Sequence, residues 1–321
     1  MRLSVALCTL DGERWIGDLL ESIRRQWRLP DQLVVGDDGS TDGTLALVED
    51  FAASVRFPVR VERWSHRRGV TGNFSATMSL CDGDVIVLCD QDDVWVPEKL
   101  AELERAFVPG VAAAFSDAEL VDADGTPLGA TLWAALHFNE AAQAAMRTGA
   151  GLAVLLKRNV VTGATLAVSS GVASAALPFP AHGLHDVWLA WVAACLGPVR
   201  PIPTALIRYR QHGGNLVGAP RRRLRDRLAH RITLGDVSAL EAAHLQALVE
   251  RLRSRSHPVE GALLELVEEK IAHLQVRSGL PGRRCARVVP VLHEVTIGRY
   301  ARYSRGWESV AYDLLFASGR G

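Results

Sequence analysis

Short apolar runs alternate with helical patterns over the first hundred residues, and this alternation constrains the fold more than any other feature of the chain. The runs have the length of buried strands: Leu3–Cys8, Leu33–Val35, Val59–Glu62 and Val85–Cys89. Between the first two runs, apolar residues recur at the spacing of one helix face, at Ile16, Leu19, Leu20 and Ile23. Strands that alternate with helices predict an α/β fold with a Rossmann-like, mostly parallel sheet and helices on both faces.

The rest of the chain is less regular and changes character near residue 219. Val111–Phe115 and Leu206–Tyr209 are further candidate strands, and Asp186–Cys195 is an apolar helical segment. Beyond Pro220, six arginines crowd between Arg221 and Arg231, and long helical patterns follow. We therefore predict three parts, which are residues 1–108, residues 109–218 and a helical C-terminal extension over 219–321.

Acidic and polar side chains follow three of the predicted strands. In strand order they are Thr9 with Asp11, Asp37 with Asp38, and Asp90 with Asp92. Ligands of open parallel sheets bind beyond these carboxyl ends. A dinucleotide-type glycine loop is absent after the first strand, and none of the three lysines lies in a Walker loop. Because carboxylates alone repel a diphosphate, the pattern predicts a nucleoside diphosphate bridged by Mg²⁺ or Mn²⁺.

Simpler interpretations of these acids stay open from the sequence alone. Asp37, Asp38 and Asp42 are equally typical of a turn that is capped before a helix. The segment from Asp38 to Glu49 also fits the ligand spacing of a calcium loop, although such a loop needs a preceding helix where Leu33–Val35 predicts a strand.

The acid at the start of the later apolar helix has two interpretations as well. Asp186 is either a functional carboxylate or only the N-cap of that helix. Three nearby or later histidines, His182, His185 and His212, are a zinc set on paper, but no cysteine shares a regular spacing with them.

Seven segments occur in an order that resembles glycosyltransferase family 2 over nearly the whole chain. They are Ser4–Thr9, Asp37–Asp42, Gly69 with Asn73, Cys89–Trp95, His185–Trp188, Tyr209–Gly213 and Arg302–Trp307. The chain looks most like the bacterial rhamnosyltransferase-like branch. The resemblance implies a GT-A fold and inverting, metal-dependent transfer from a nucleoside diphosphate sugar, with dTDP-rhamnose and UDP-sugars as candidate donors. It implies a glycan or lipid-linked glycan acceptor in cell-surface polysaccharide synthesis.

The resemblance also implies roles for matching residues. Asp186 would be the general base, and Asp38 would accept from the base N–H. The residues at the nucleotide sugar would be Thr9, Asp11, Asp38, Gly69, Asn73 and Asp90. The Mn²⁺ or Mg²⁺ ligands would be Asp92, Asp90 and His212. At Asp11 the sequence departs from the family, which usually has asparagine there. Residues 1–108 would be the nucleotide-sugar-binding half and 109–218 the acceptor-side half.

Charge and composition limit the partners and the compartment. The formal net charge is zero, which gives no global attraction to nucleic acid. Five scattered cysteines, no signal-like N-terminus and no apolar span of roughly 20 residues predict a cytoplasmic protein. The run from Arg221 to Arg231 is either a solvated helix face or a peripheral contact with anionic lipid on the inner face of the membrane. The alternative functions are a nucleotidyltransferase and a non-catalytic nucleotide-sugar-binding protein.

Overall fold

The computed structural model describes residues 1–212, 234–254 and 259–316. The strands are β1 (Leu3–Thr9), β2 (Gln32–Asp37), β3 (Val59–Arg63), β4 (Val85–Asp90), β5 (Val94–Trp95), β6 (Ala113–Val121), β7 (Pro127–Thr131), β8 (Leu166–Ser169) and β9 (Val199–Arg210). The helices up to residue 212 are α1 (Glu13–Arg24), α2 (Thr44–Ser54), α3 (Gly69–Met78), α4 (Lys99–Ala106), α5 (Leu132–Ala135), α6 (Glu140–Arg147), α7 (Gly151–Lys157), α8 (Ser170–Ala176) and α9 (His185–Leu196). The later helices are α10 (Leu234–Arg253), α11 (Gly261–Ser278), α12 (Arg284–Thr296), α13 (Arg299–Tyr303) and α14 (Trp307–Leu315).

These elements form two compact units. The first comprises residues 1–149 and 160–212, and the second comprises residues 150–159 with the described residues from 234 onward. Helix α7 therefore belongs to the second unit, where it packs against α11 and α13. The boundary predicted near residue 219 lies outside the described residues, and the division between 108 and 109 stays a prediction.

The sheet of the first unit begins with the four parallel strands that the sequence predicts. Its strand order is β3-β2-β1-β4-β8-β6-β9-β5, and β7 pairs with β6. Consecutive residues of β1, β2 and β4 are buried, so both sides of this part of the sheet are covered. Helix α1 buries the predicted apolar face, Ile16, Leu19, Leu20 and Ile23. The predicted α/β fold class is confirmed.

Antiparallel pairing begins beyond β4. The short strand β8 lies antiparallel between β4 and β6, and β5 pairs antiparallel with β9. The predicted strand at Val111–Phe115 starts two residues later and continues to Val121, while Leu206–Tyr209 is only the end of β9. Pro97 precedes the N-cap, Glu98, so it lies before α4 and not in its first turn. Strand β8 has only four residues, which is too short for an alternating apolar pattern to be recognised in the sequence.

Strand register brings the predicted polar residues together at one edge. Thr9 at the end of β1 is paired with Asp37 of β2, and Cys8 is paired with Asp90 of β4. The carboxyl ends of these three parallel strands therefore meet, as the sequence predicts for a ligand site.

The second unit is helical, which confirms the helical C-terminal region. A small apolar core contains Leu280, Val291, Tyr300 and Val310. Among the described helices, none combines the length and the apolar character that crossing a membrane requires.

Candidate active site

The ends of β1 and β2 are tied to each other and to the turn that follows β2. The Thr9 hydroxyl donates to Asp37 Oδ1 at 2.9 Å, and both residues are buried. Asp37 Oδ2 accepts from the backbone N–H groups of Gly39 and Ser40, at 3.1 and 2.9 Å. Asp37 is thus the turn-capping residue that the simpler interpretation predicts.

A second set of contacts joins the loop after β1 to the loop before α2. Asp11 has a positive φ of 46° and accepts from the Thr41 N–H at 2.8 Å. Asp42 accepts from the N–H groups of Thr44 and Glu13, both at 3.0 Å. Aspartate tolerates the left-handed region better than most residues, as asparagine does, so both suit this position. Because strand β2 precedes this loop, a calcium loop lacks its entering helix.

Asp38 joins the end of β2 to the start of α3. Its carboxylate accepts from the N–H groups of Arg68 and Gly69, at 2.6 and 3.0 Å, and the side chain is buried. Gly69 has a φ of 69°, which a residue without a side chain adopts most easily. An ionised carboxylate has about four acceptor positions, so a nucleobase N–H would share Asp38 with these two amides.

Asn73 holds α3 against the sheet from the inside. Its Nδ2 donates to the Gly36 carbonyl at 2.8 Å, and its Oδ1 accepts from Trp64 Nε1 at 2.8 Å. Only 2% of Asn73 is exposed. The structure therefore gives Asn73 a packing role, and its expected place beside the ribose and diphosphate stays a prediction.

The segment Asp90-Gln91-Asp92 is fixed against the end of β1 by its central residue. Gln91 Oε1 accepts from the Leu10 N–H, and Gln91 Nε2 donates to the Leu10 carbonyl, both at 2.9 Å. A Cβ added at Gly12 would clash with Gln91 Oε1, so the glycine leaves room for this side chain. Sequence reasoning missed Gln91, because its partner, the backbone of Leu10, is distant in the sequence. The two residues come together only when β1 and β4 lie side by side.

Four acids gather at this edge, and two of them, Asp90 and Asp93, have raised pKa values. Burial raises the pKa of Asp90 to about 7, and the charges of Asp92 and Asp186 add to that effect. Burial also raises the pKa of Asp93 well above its ordinary value, with Asp92 and Asp90 contributing. Asp93 Oδ1 accepts from the Arg210 N–H at 3.0 Å, and within the described residues Oδ2 has no hydrogen-bond partner.

Asp186 comes from a distant part of the chain, in the first turn of α9. Its Oδ2 accepts from the Gly163 N–H at 3.2 Å, and its Oδ1 accepts from the Val187 N–H at 2.7 Å. The N-cap of the helix is Leu184, so the interpretation of Asp186 as the N-cap is wrong. The carboxylate is partly exposed and lies close enough to Asp90 to raise its pKa.

His185, the residue before Asp186, packs the first turn of α9 against an aromatic ring of α3. The His185 ring stacks on Phe74, with the ring centroids 4.2 Å apart. Both ring nitrogens are buried without a hydrogen-bond partner in the described part of the chain, and burial lowers the pKa of His185. The ring is therefore held neutral and packs α9 onto α3.

A buried lysine, which sequence reasoning missed, lies beneath the acids. Lys99 Nζ donates to the Ala164 carbonyl at 2.9 Å and lies 3.9 Å from the centroid of the Trp95 ring. Burial lowers the pKa of Lys99 to about 8, and its charge lowers the pKa of Asp90 and Asp93. Because Ala164 follows the glycine that holds Asp186, Lys99 supports the turn on which that acid depends.

His212, two residues after the end of β9, also lies at this edge of the sheet, beside Asp92. Its Nε2 lies 2.7 Å from Asp92 Oδ2, and its ring stacks on Trp15 with centroids 4.2 Å apart. The buried Arg210 guanidinium donates through Nε to the Asp92 carbonyl at 2.8 Å and through Nη1 to the Ala123 carbonyl at 3.0 Å. The strand end thus positions both the backbone and the carboxylate of Asp92.

The donor set suits a cation that shares its coordination with a substrate. Within residues 1–212, 234–254 and 259–316, no group of three or more His, Cys, Asp or Glu side chains is placed to hold a metal ion. Asp92 and His212 form a pair. Mg²⁺-type sites commonly use one or two carboxylates and fill the other positions with substrate phosphate oxygens and water. The pair fits such a bridging cation and does not fit a stand-alone structural metal.

Comparison with known sequences finds a family match for part of the chain. Residues 4–140 match the sequence model of the family described as Glycosyl transferase family 2. Over these residues the resemblance read from the motifs is confirmed.

The curated relatives of the chain include three sugar transferases. Abequosyltransferase RfbV of Salmonella typhimurium is 30% identical over 106 residues, which cover 32% of each chain. The dTDP-rhamnosyl transferase RfbG of Shigella flexneri is 33% identical over 98 residues, or 29% of this chain and 34% of RfbG. O-antigen chain rhamnosyltransferase RfbN of Salmonella typhimurium is 25% identical over 194 residues, or 59% and 60% of the two chains. The chain thus spans about a third of RfbV and RfbG and three fifths of RfbN.

Solved structures of glycosyltransferases share the fold over most of the chain. TarS of S. aureus, crystallised with UDP-GlcNAc, has a TM-score of 0.61 at 14% identity and covers 94% of this chain and 89% of its own. Mannosyltransferase PcManGT of Pyrobaculum calidifontis has a TM-score of 0.52 at 16% identity and covers 98% and 85%. The expected GT-A fold is confirmed.

Proposed function

We propose that the protein transfers a sugar, with inversion, from a nucleoside diphosphate sugar to a glycan or lipid-linked glycan in cell-surface polysaccharide synthesis. One observation carries the proposal. The carboxylates of Asp92 on the β4 side and Asp186 on α9 both act on the pKa of Asp90, although almost a hundred residues separate them in the chain. Crowded acids with shifted pKa values are typical of catalytic centres.

Asp186 is proposed as the general base. Its carboxylate is partly exposed and held by the Gly163 N–H, so it has a fixed orientation and remaining acceptor capacity. It would take the proton of one acceptor hydroxyl as that oxygen attacks the anomeric carbon. The bond from that carbon to the diphosphate breaks on the opposite face, so the configuration inverts.

The donor is proposed to lie across the ends of β1, β2 and β4. Thr9, Asp11, Asp38 and Asp90 line this edge, and Gly69 and Asn73 support it through the start of α3. The structures of TarS and PcManGT were obtained with UDP-GlcNAc and with GDP-Man, which supports a nucleotide-sugar donor. The names of RfbG and RfbN favour a deoxysugar such as rhamnose.

Mn²⁺ or Mg²⁺ is proposed as the cofactor, held by the Asp92–His212 pair together with diphosphate oxygens, with Asp90 beside the pair. The PcManGT structure contains Mn²⁺, which supports this assignment. When bound, the cation would supply positive charge against the departing diphosphate. Arg210 and Gln91 would keep the Asp92 segment in place for either cation.

The acceptor and the compartment are proposed from the relatives and the composition. RfbN is named as an O-antigen chain rhamnosyltransferase, which supports a glycan acceptor. A cytoplasmic location is proposed from the cysteine content and the lack of a long apolar span in the sequence. Membrane contact through Arg221–Arg231 stays a proposal, because that run lies outside the described residues.

A donor screen tests the proposed function. UDP-, dTDP- and GDP-sugars would be added with Mn²⁺, and the melting temperature and the release of free nucleoside diphosphate would be measured. We expect one nucleotide sugar to stabilise the protein and to be hydrolysed slowly without acceptor. Release of pyrophosphate from a nucleoside triphosphate would instead identify a nucleotidyltransferase. Tight donor binding with no turnover on any glycan would identify a binding protein.

A further inference from the structure

A single 3₁₀ turn, Gly163–Thr165, holds the carboxylate of the proposed base. The Gly163 N–H donates to Asp186 Oδ2 at 3.2 Å. The next residue, Ala164, accepts through its carbonyl from the buried Lys99 Nζ at 2.9 Å, so the turn is itself tied to the interior. The orientation of the Asp186 carboxylate therefore depends on where the backbone of this turn lies.

The turn also fits closely against the start of α9, the helix that carries the base. A Cβ added at Gly163 would clash with His185 Nε2, so the backbone of the turn lies directly against that ring. The ring is buried and stacks on Phe74, which leaves it little room to withdraw in a close-packed interior. A small displacement of the turn would thus be passed on to the first turn of α9 and to Asp186.

Helix α7, which precedes this turn in the chain, belongs to the second, helical unit. It packs there against α11 and α13. One face of α7 is buried through its leucines, Leu152, Leu155 and Leu156. Only the residues 158–162 connect the end of α7 to Gly163, and two of them, Val160 and Val161, are buried. So short a connection would transmit a displacement of α7 to the turn.

The donor edge of the site is held by other contacts. The Thr9 hydroxyl donates to Asp37, and Asp38 accepts from the start of α3. Gln91 binds the backbone of Leu10. These residues all belong to the first unit and precede α7 in the chain. A displaced turn should therefore affect the base and leave donor binding intact.

We propose that the helical unit positions the base, because it holds α7, α7 fixes the turn at Gly163, and the turn fixes the Asp186 carboxylate. The inference rests on the proposed function and gives the helical unit a part in the transfer step. Gly163 is a positioning residue, since it acts through Asp186 and not on the substrate. The step that depends on this is removal of the acceptor proton, whose rate depends on the placement of the carboxylate.

Two insertions of the same length test the connection through α7. Two glycines between Arg158 and Asn159 lengthen the path from α7 to Gly163, and two glycines between Gly149 and Ala150, before α7, are the matched control. The readout is kcat for hydrolysis of the nucleotide sugar that the donor screen selects, with water in place of the acceptor. Since a misplacement of about 1 Å can cost about 10²-fold in rate, we expect at least a tenfold loss for the first insertion and less than about twofold for the control. Donor affinity should be unchanged in both.

A double variant distinguishes positioning from general damage to the fold. Once Asp186→Asn has removed the base, moving the turn should matter little, so the insertion after Arg158 should lower hydrolysis less than about twofold further. A further tenfold loss in the Asp186→Asn protein would overturn the inference, and so would normal hydrolysis by the insertion variant alone. Should two glycines prevent folding, as judged by the melting temperature, one glycine at the same place carries the same expectation.

The proposed function fails in a different way. A wild-type protein that hydrolyses none of the nucleotide sugars would reject the transferase, and the inference with it. A wild-type protein that hydrolyses its donor beside an equally active insertion variant would reject only the role of the helical unit.

Discussion

The two units bury charge in opposite ways. In the helical unit, each main buried acid meets a base. Asp313 accepts from Arg277 at 2.6 Å, and Glu294 accepts from Arg299 at 3.2 Å, while Lys270 lies 2.9 Å from Glu241. At the edge of the sheet in the first unit, four acids instead crowd together, with Lys99 beneath them and His212 beside Asp92. Buried ion pairs hold the fold together. Neighbouring carboxylates, in contrast, repel one another and destabilise the fold until one of them binds a proton or a cation.

The difference separates residues that hold the fold from residues that do chemistry. Removing a member of a buried pair leaves an opposite charge uncompensated, so stability should fall. Removing a member of the acid cluster relieves repulsion, so stability should hold while activity falls. The variants below test that division, from the largest expected effect to the smallest.

Asp92→Asn should lower transfer by about 10³-fold, because it removes the charged partner proposed for the cation and the diphosphate. Melting temperature should stay the same or rise, since one of the crowded charges is gone. Transfer would be measured with and without EDTA, and Asp50→Asn on the exposed side of α2 is the control. Activity that is insensitive to both EDTA and the substitution would contradict the cation assignment.

Asp313→Ala should lower the free energy of unfolding by about 3–5 kcal/mol, because the Arg277 guanidinium would lose its buried partner. The Tyr300 hydroxyl, which donates to Asp313 Oδ2 at 2.8 Å, would lose its acceptor as well. Chemical denaturation measures the change, and Glu308→Ala, at an exposed position of the same helix, is the control. Equal denaturation midpoints for the two variants would remove the structural role given to this pair.

Lys99→Met should reduce transfer about tenfold and shift its pH profile upward. The variant loses the bond to the Ala164 carbonyl and the positive charge that lowers the pKa of Asp90 and Asp93. Those acids would then stay protonated to higher pH. Transfer rates measured between pH 5 and pH 9 check this, with Lys157→Met, at an exposed position of α7, as the control. A lower transfer rate with an unchanged pH profile would show that Lys99 acts only through packing.

Acid should weaken the helical unit through two buried histidines. Burial lowers the pKa values of His244 and His273 to about 4, whereas both titrate near 6.5 when unfolded. The unfolded chain therefore binds more protons between these values, so the stability that neutral histidine provides is full above pH 6.5 and is lost as the pH falls toward 4. Each pKa unit corresponds to about 1.4 kcal/mol.

Melting temperatures between pH 7 and pH 4.5 check this expectation. His244→Leu should flatten the dependence, because only His273 would still contribute. A dependence that is identical in the wild type and the variant would show that these histidines do not control it.

The sequence predicts the parallel part of the fold and the location of the acids because both depend on local pattern. Strands β1, β2 and β4 are continuous apolar runs, and their polar ends must meet once the strands are parallel. The turn-capping role of Asp37 likewise follows from its neighbours along the chain.

The supports of the site could not be predicted, because they depend on contacts between distant segments. Gln91 binds Leu10, Lys99 binds Ala164 and Arg210 binds Asp92, each across many intervening residues. Strand β8, which brings in the Gly163 turn, is too short to leave a period. A signal for Lys99 did exist, since it is one of three lysines among 36 basic residues and lies six positions after Asp93.

The transfer rate of Asp186→Asn, measured together with donor affinity and melting temperature, tests the central claim most directly. Asparagine keeps the size of the side chain and can accept from the Gly163 N–H, but it cannot take a proton from the acceptor hydroxyl. We expect a loss of transfer of about 10²-fold or more, with donor affinity and melting temperature close to those of the wild type. An Asp186→Asn protein that is active and normally stable would contradict the claim that this acid is the base.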